Sequence, residues 1–360
     1  MHESVAPYLL GKDPLQIDRH SRALYGYLGY RSSGVEMRGN SALDIALWDI
    51  FGKVANQPIY QLLGGMSREK IRIYNTCAGY KYIRGKSKQA VDNWGLPTGA
   101  GEGPYEDLEA FLTDAGELAL SLQAQGIGGM QIWPFDPFAE ASNGTSISNA
   151  DLDTALEPFR KIRRAVGMDM EIMVEFHSLW NLPAAAKIAR ALEEFEPCWF
   201  EDPLKADNID ALAAFAAGTH VPTTISETLS TRWNFREVME KQAARIIMLD
   251  LSWVGGISEA KKVATMAEAH QLPIAPHDYT GPVVLTASCH LSLNAPNALI
   301  QETVRAYYTG WYKELLTDLP LIENGYVTLP NKPGLGTSLL PDLHLRPDAH
   351  VRATTEADLQ

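Results

Sequence analysis

Three glutamates recur at one phase of successive apolar runs. Glu175 closes a run from Glu171, Glu201 one from Cys198 and Glu227 one from Thr223, at steps of 26 and 26 residues. Asp250, His277 and Glu302 close the next three runs, at steps of 23, 27 and 25 residues. One glutamate after an apolar run is ordinarily a solvated loop residue or a helix N-terminal charge. Three at the same phase are better explained by convergence on one point. Converging carboxylates repel one another unless a cation neutralises them, and an all-oxygen set suits a hard ion such as Mg²⁺. Asp250 and His277 then fall beside that ion. A carboxylate on one imidazole nitrogen fixes the tautomer and raises the basicity of the other, so the pair could remove a weakly acidic proton. Glu302, its pKa raised by acidic neighbours, could donate a hydrogen bond to the resulting anion. His177 lies two residues after Glu175, on the same side of an extended strand, and is a candidate second acid or base.

Those residues need a scaffold that returns every 25 or so residues to one rim. Eight short β-branched or aromatic runs start at Ile71, Met130, Glu171, Cys198, Thr223, Ala244, Pro273 and Leu299. Each is bounded by Pro, Gly or Asp, and their continuous apolar character suits parallel strands covered on both faces. Helical patterns lie between them. In 183–195, Ala185, Ile188, Leu192 and Phe195 repeat at three- and four-residue steps. Asn234 and Ser258 are candidate N-caps of two further helices. The pattern predicts a (β/α)8 barrel, with six ionisable groups around one mouth. A doubly wound open sheet fits less well, because no GxGxxG turn follows the first strand. The glycine-rich stretch 95–103 lacks the Lys-Ser/Thr of a phosphate loop and reads as a surface loop or active-site lid. Upstream, Gly39-Asn40-Ser41 signals the start of a helix whose apolar residues cover nearly its whole circumference, as in a helix buried between layers. Pro58 opens a second, short helix that Gly64-Gly65 stops. His220 and His290 read as packing or surface residues.

The composition agrees. The 360 residues carry 31 Lys plus Arg against 44 Asp plus Glu, a formal charge of −13, with 46% hydrophobic residues, as in a folded globular protein. An acidic surface argues against a nucleic-acid partner. Cys77, Cys198 and Cys289 are too few and too scattered for a disulfide framework, which suits a reduced, cytoplasmic setting. Neither a secretory signal nor an apolar run of membrane-spanning length is visible.

Taken together the motifs resemble the mandelate racemase subgroup of the enolase superfamily. Asn40 to Asp49 resembles the helical signature of its capping domain. Val174-Glu175-Phe176-His177 followed by Phe200-Glu201-Asp202-Pro203 resembles its metal-binding signature. The segment from Asp250 to Gly256 resembles the one carrying the dyad aspartate, and Pro333-Gly334-Leu335-Gly336 the return to the cap. The resemblance implies a cap at 1–70, a barrel at 71–329 and a C-terminal return at 330–360. It implies that Glu175, Glu201 and Glu227 bind Mg²⁺, that His277 oriented by Asp250 takes the proton next to a carboxylate, and that Glu302 helps hold the enediolate. A histidine at the position of His177 resembles the acid of acid-sugar dehydratases, whose product is a 2-keto-3-deoxy acid.

Three departures stand out. The first ligand, commonly Asp, is Glu175. The Lys-x-Lys pair on the second strand of the racemases is here Gln131-Ile132-Trp133, which favours one-sided chemistry. The usual N-terminal sheet of about fifty residues has no counterpart before the first capping helix, so the expectation is a truncated start or a reduced cap. The expected partner is a small sugar acid, with specificity set by the cap and the insertion at about 80–104. Exposed apolar cap surface favours a homo-oligomer. A cycloisomerase or epimerase, and a binding barrel without turnover, are the alternatives.

Overall fold

The computed structural model describes residues 2–3, 5–26, 34–80, 105–347 and 349–359. The stretch 95–103 lies outside these, as does the insertion apart from Tyr80. All eight expected strands form: β1 (Ile71–Thr76), β2 (Gly129–Ile132), β3 (Glu171–Glu175), β4 (Trp199–Glu201), β5 (Thr223–Ile225), β6 (Ile246–Leu249), β7 (Ile274–Pro276) and β8 (Gln301–Thr303). Each is parallel to its predecessor from β1 to β7, and β8 pairs in parallel with β1. Between β7 and β8 the ring closes through a parallel bridge of Ile274 with Ala298 and the Leu299 N–H donating to the Ile274 carbonyl at 2.9 Å. The chain is a (β/α)8 barrel with a helical cap. A hairpin of β9 (Leu321–Glu323) and β10 (Tyr326–Thr328) extends the sheet antiparallel from β1.

Side-chain alternation along each strand sorts two cores. Tyr74, Met173, Trp199, Ile246, Met248, Ala275 and Ile300 fill the barrel interior, with Tyr74 edge-on to Trp199 at 5.1 Å. The larger core lies between strands and helices. Residues one period above the interior plug point into the mouth. Two steps beyond Met173 stands Glu175, two beyond Trp199 stands Glu201, and two beyond Tyr74 stands Thr76.

Several helix starts differ from expectation. The cap helix runs Val35–Ala55, several residues before Gly39-Asn40-Ser41. Ser41 sits inside it, donating to the Met37 carbonyl (2.8 Å) and accepting from the Gly255 N–H (3.0 Å). Nor is this helix buried all round, since Ile50 and Val54 are 39% and 66% exposed. Ser258 is not a cap. Helix Gly256–Ala269 starts before it, and Asp44 reaches across from the cap helix to accept from the Ser258 N–H at 2.9 Å and its hydroxyl at 2.5 Å. A carboxylate from another helix therefore satisfies an amide that a local cap would take. Asn234 likewise lies within helix Thr231–Glu240 and donates to the Ser230 carbonyl.

The C-terminal return packs where glycine alone allows it. A Cβ on Gly52 would lie 2.5 Å from the Gly334 Cα, and Gly334 itself has φ 68°. The backbones then bond: the Gly334 N–H to the Gln57 carbonyl, the Ile59 N–H to the Gly334 carbonyl. His290 ties the same corner. Its Nδ1 accepts from the Tyr60 N–H (3.1 Å) and its Nε2–H donates to the Leu335 carbonyl (3.2 Å). That pattern needs a neutral ring, and burial holds its pKa down at about 4. The unfolded chain therefore binds a proton that the folded chain refuses between about pH 6.5 and 4, so stability rises with pH there. Acidification through this window is expected to cost about 3 kcal/mol from this group alone. Melting curves of wild type and His290→Gln between those pH values test this. A variant with the same acid slope as wild type would refute it. His220, by contrast, is exposed.

Candidate active site

One cleft of about 210 Å³ opens at the C-terminal ends of the strands. Glu175, Glu201, Glu227, His277, Glu302 and His177 all line it. Asp250 sits beneath, fully buried, and reaches the cleft through His277. All seven sequence-predicted residues are thus brought to one mouth.

The His277 pair is fixed by a set of hydrogen bonds. Asp250 Oδ2 lies 2.7 Å from His277 Nδ1 and accepts from the Thr280 hydroxyl at 3.0 Å. Asp250 Oδ1 accepts from the Ser252 N–H and hydroxyl, each at 2.6 Å. A carboxylate so supplied with donors is the acceptor, so Nδ1 carries the hydrogen and Nε2 has the basic lone pair. Nε2 stands 3.9 Å from Glu302 Oε2. Burial opposes charge on the ring, but the Glu302 charge and the Asp250 bond outweigh it, and the pKa rises to about 10.

Glu302 is held at both oxygens. Oε2 accepts from the Asp278 N–H at 2.9 Å, and Oε1 meets the Thr76 hydroxyl. Thr76 also bonds the Gln131 side-chain oxygen at 2.8 Å. One hydroxyl hydrogen cannot serve both, and an amide oxygen cannot donate, so the two contacts are made together only when Glu302 carries a proton. Burial raises the Glu302 carboxyl in the same direction.

His177 has a carboxylate partner of its own. Its Nδ1 lies 2.7 Å from Asp136 Oδ2, and its ring stands edge-on to Trp133 at 5.6 Å. Burial lowers its pKa, but the Asp136 and Glu175 charges carry it to about 9. Sequence reasoning missed Asp136, which lies four residues beyond the end of β2, outside the period of the other rim residues. Thr76, at the end of β1, was missed because a threonine at the end of an apolar run is an ordinary strand residue. Trp253 also lines the cleft, and the Arg38 guanidinium of the cap helix stacks 3.4 Å over its ring.

The remaining question is what the acidic wall can hold. Glu201 is pushed well above the usual carboxylate range by burial and by Glu175, Glu302 and Glu227, and Glu175 is raised by burial. Glu227 Oε2 and Asp202 Oδ1 are buried without a donor from any basic or neutral side chain, and burial and the neighbouring Glu227 push Asp202 well above the usual carboxylate range. Among the described residues no three His, Cys, Asp or Glu side chains form a closed metal-holding cluster as they stand. The Gln131 amide lies between Glu175 and Glu201, donating to an oxygen of each. Donor chemistry and charge nevertheless fit a hard cation: the groups are oxygen-only and acidic, Glu175 and Glu201 are buried, and Glu227 Oε2 lacks a donor.

Known proteins share this fold. Residues 114–343 match the family model described as enolase C-terminal domain-like, and residues 1–64 match that of the mandelate racemase / muconate lactonizing enzyme N-terminal domain. A D-galactonate dehydratase of Ralstonia nicotianae is 32% identical, with 94% of this chain and 81% of that protein covered. An enolase of the mandelate racemase subgroup from Agrobacterium tumefaciens superposes with a TM-score of 0.82 at 53% identity, over 95% of this chain and 83% of that one. An enolase protein from Sargasso Sea environmental sequencing gives a TM-score of 0.86 at 42% identity, over 99% of this chain and 87% of that one. The chain belongs to the mandelate racemase/muconate lactonizing enzyme family of the enolase superfamily.

Proposed function

We propose that this chain is a divalent-cation-dependent acid-sugar dehydratase. The observation that carries the reading is the pair of imidazoles lining one cleft, each bonded through Nδ1 to a buried aspartate. Elimination of water needs one group to take a proton and another to give one. His277 Nε2 takes the proton next to the substrate carboxylate. Glu302 turns its proton from Thr76 to the oxygen that gains charge and donates a hydrogen bond there. His177 gives its proton to the departing 3-hydroxyl, which leaves as water, and the enol becomes a 2-keto-3-deoxy acid. A divalent cation such as Mg²⁺, held by Glu175, Glu201 and Glu227, would stabilise the charge growing on the substrate carboxylate and offset the acidic field that raises His277. The similarity to D-galactonate dehydratases supports a sugar acid as substrate.

The test is a screen of aldonates and aldarates with Mg²⁺ for keto-acid formation. The expected result is keto acid from at least one sugar acid, abolished by chelation. The same two imidazoles could instead exchange protons at one carbon. Solvent deuterium entering an inverted sugar acid, with no keto acid, would establish epimerisation and refute dehydration. Metal-dependent thermal stabilisation with neither product would point to a binding barrel.

A further inference from the structure

Gln131 is 2% exposed, on β2, and its register partners are Thr76 of β1 and Met173 of β3, which place it facing inward. Its Nε2 donates to Glu201 Oε2 at 2.6 Å and Glu175 Oε2 at 3.2 Å. Its oxygen accepts from Thr76. The amide orientation matches its partners, with the NH₂ facing two carboxylate oxygens and the oxygen facing the Thr76 hydroxyl. The Trp199 indole N–H adds a second bond to Glu201 Oε2 at 3.2 Å.

These bonds divide the oxygens unequally. On Glu201 both protein donors hold Oε2. On Glu227, Oε2 has none. Glu175 uses Oε1 for the His177 N–H and Oε2 for Gln131. One neutral side chain therefore bridges two carboxylates that already face each other as β3–β4 register partners, and it adds no charge to compete with a cation.

Resting on the cation site proposed above, we infer that Gln131 is its positioning residue: the amide clamps Glu175 and Glu201 at a fixed separation and, through Thr76, ties them to Glu302. The cation ligands and the Glu302–His277 pair are thereby held in one register. Thr76 sets the direction of the amide, and Gln131 sets the spacing of the ligands. A leucine at 131 fills similar volume but leaves the two carboxylates unclipped and the Thr76 hydroxyl without its acceptor.

Calorimetric titration of the full chain with Mg²⁺ reads this directly, without substrate. Gln131→Leu is expected to bind Mg²⁺ about 10–100-fold more weakly than wild type. Should Gln131→Leu fail to fold, Gln131→Asn keeps the polar group one methylene too short to reach both carboxylates, and the same loss is expected. A folded variant that binds Mg²⁺ as tightly as wild type, or more tightly, overturns the inference alone. A wild-type chain that binds no Mg²⁺ overturns the cation site and this inference with it.

Discussion

His277→Asn is expected to lower keto-acid formation by about 10²–10⁴-fold, the range a positioned acid or base supplies. That corresponds to about 2.7–5.4 kcal/mol of barrier. The asparagine side chain can still accept or donate a hydrogen bond toward Asp250, so the buried carboxylate keeps a partner. It cannot carry the abstracted proton. The melting midpoint should consequently stay near that of wild type, and Mg²⁺ affinity should change little. Solvent deuterium uptake into substrate should fall together with keto-acid formation, because both require the same C–H bond to break. Asp250→Asn should lower activity as well, since an amide there can present its oxygen or its NH₂ and no longer imposes the Nδ1–H tautomer. A His277→Asn enzyme with wild-type turnover would show that another group is the base. His177→Asn separates the two roles: loss of dehydration with retained deuterium exchange would mark His177 as the acid.

Arg305→Met is expected to cost about 3–5 kcal/mol of stability, the scale for leaving one partner of a buried ion pair alone. Arg305 follows β8, and Asp107 opens helix Asp107–Gln123 after β1. The guanidinium binds both carboxylate oxygens at 2.7 Å, and their side chains are 3% and 2% exposed. Asn75 joins the two by donating to Asp107 at 3.0 Å and accepting from the Arg305 N–H at 2.8 Å. Tyr105 stacks 4.1 Å from the guanidinium carbon, and Ser121 accepts from Nη1. Methionine would fill much of the space but leave Asp107 with Asn75 as its remaining side-chain donor. The double variant Asp107→Leu/Arg305→Met removes both charges and should recover most of the loss. Denaturant midpoints of the single and double variants decide the matter. Equal stability of wild type and Arg305→Met would mean that the pair is dispensable.

Neither Asp107 nor Asp136 stood out in the sequence, for a shared reason. Each is one acidic residue near a helix start, where a solvated N-terminal charge is the ordinary occurrence. Their partners lie 198 and 41 residues away, and no local pattern connects them. The same limit explains the helix starts. Ser258 and Ser41 have the residue type of a cap, yet the barrel and the cap helix use both hydroxyls across their interface. Propensity describes what a side chain can do for its own helix. It does not see a better partner arriving from another element.

What the sequence determined by itself was the period. Eight apolar runs, the last six with acidic or imidazole ends at steps of 23 to 27 residues, contain the barrel and its rim, because each βα unit brings the chain back to one end of the sheet. Strand alternation also settles which side chains point into the mouth. The tertiary structure alone decided how those groups are wired: that Gln131 bridges two glutamates, that Thr76 joins it to Glu302, and that His177 answers to Asp136. Periodicity is set by backbone geometry, which is local and repeats. Hydrogen-bond pairing depends on distances of a few tenths of an ångström between strands far apart in the chain, and those exist only once the ring has closed.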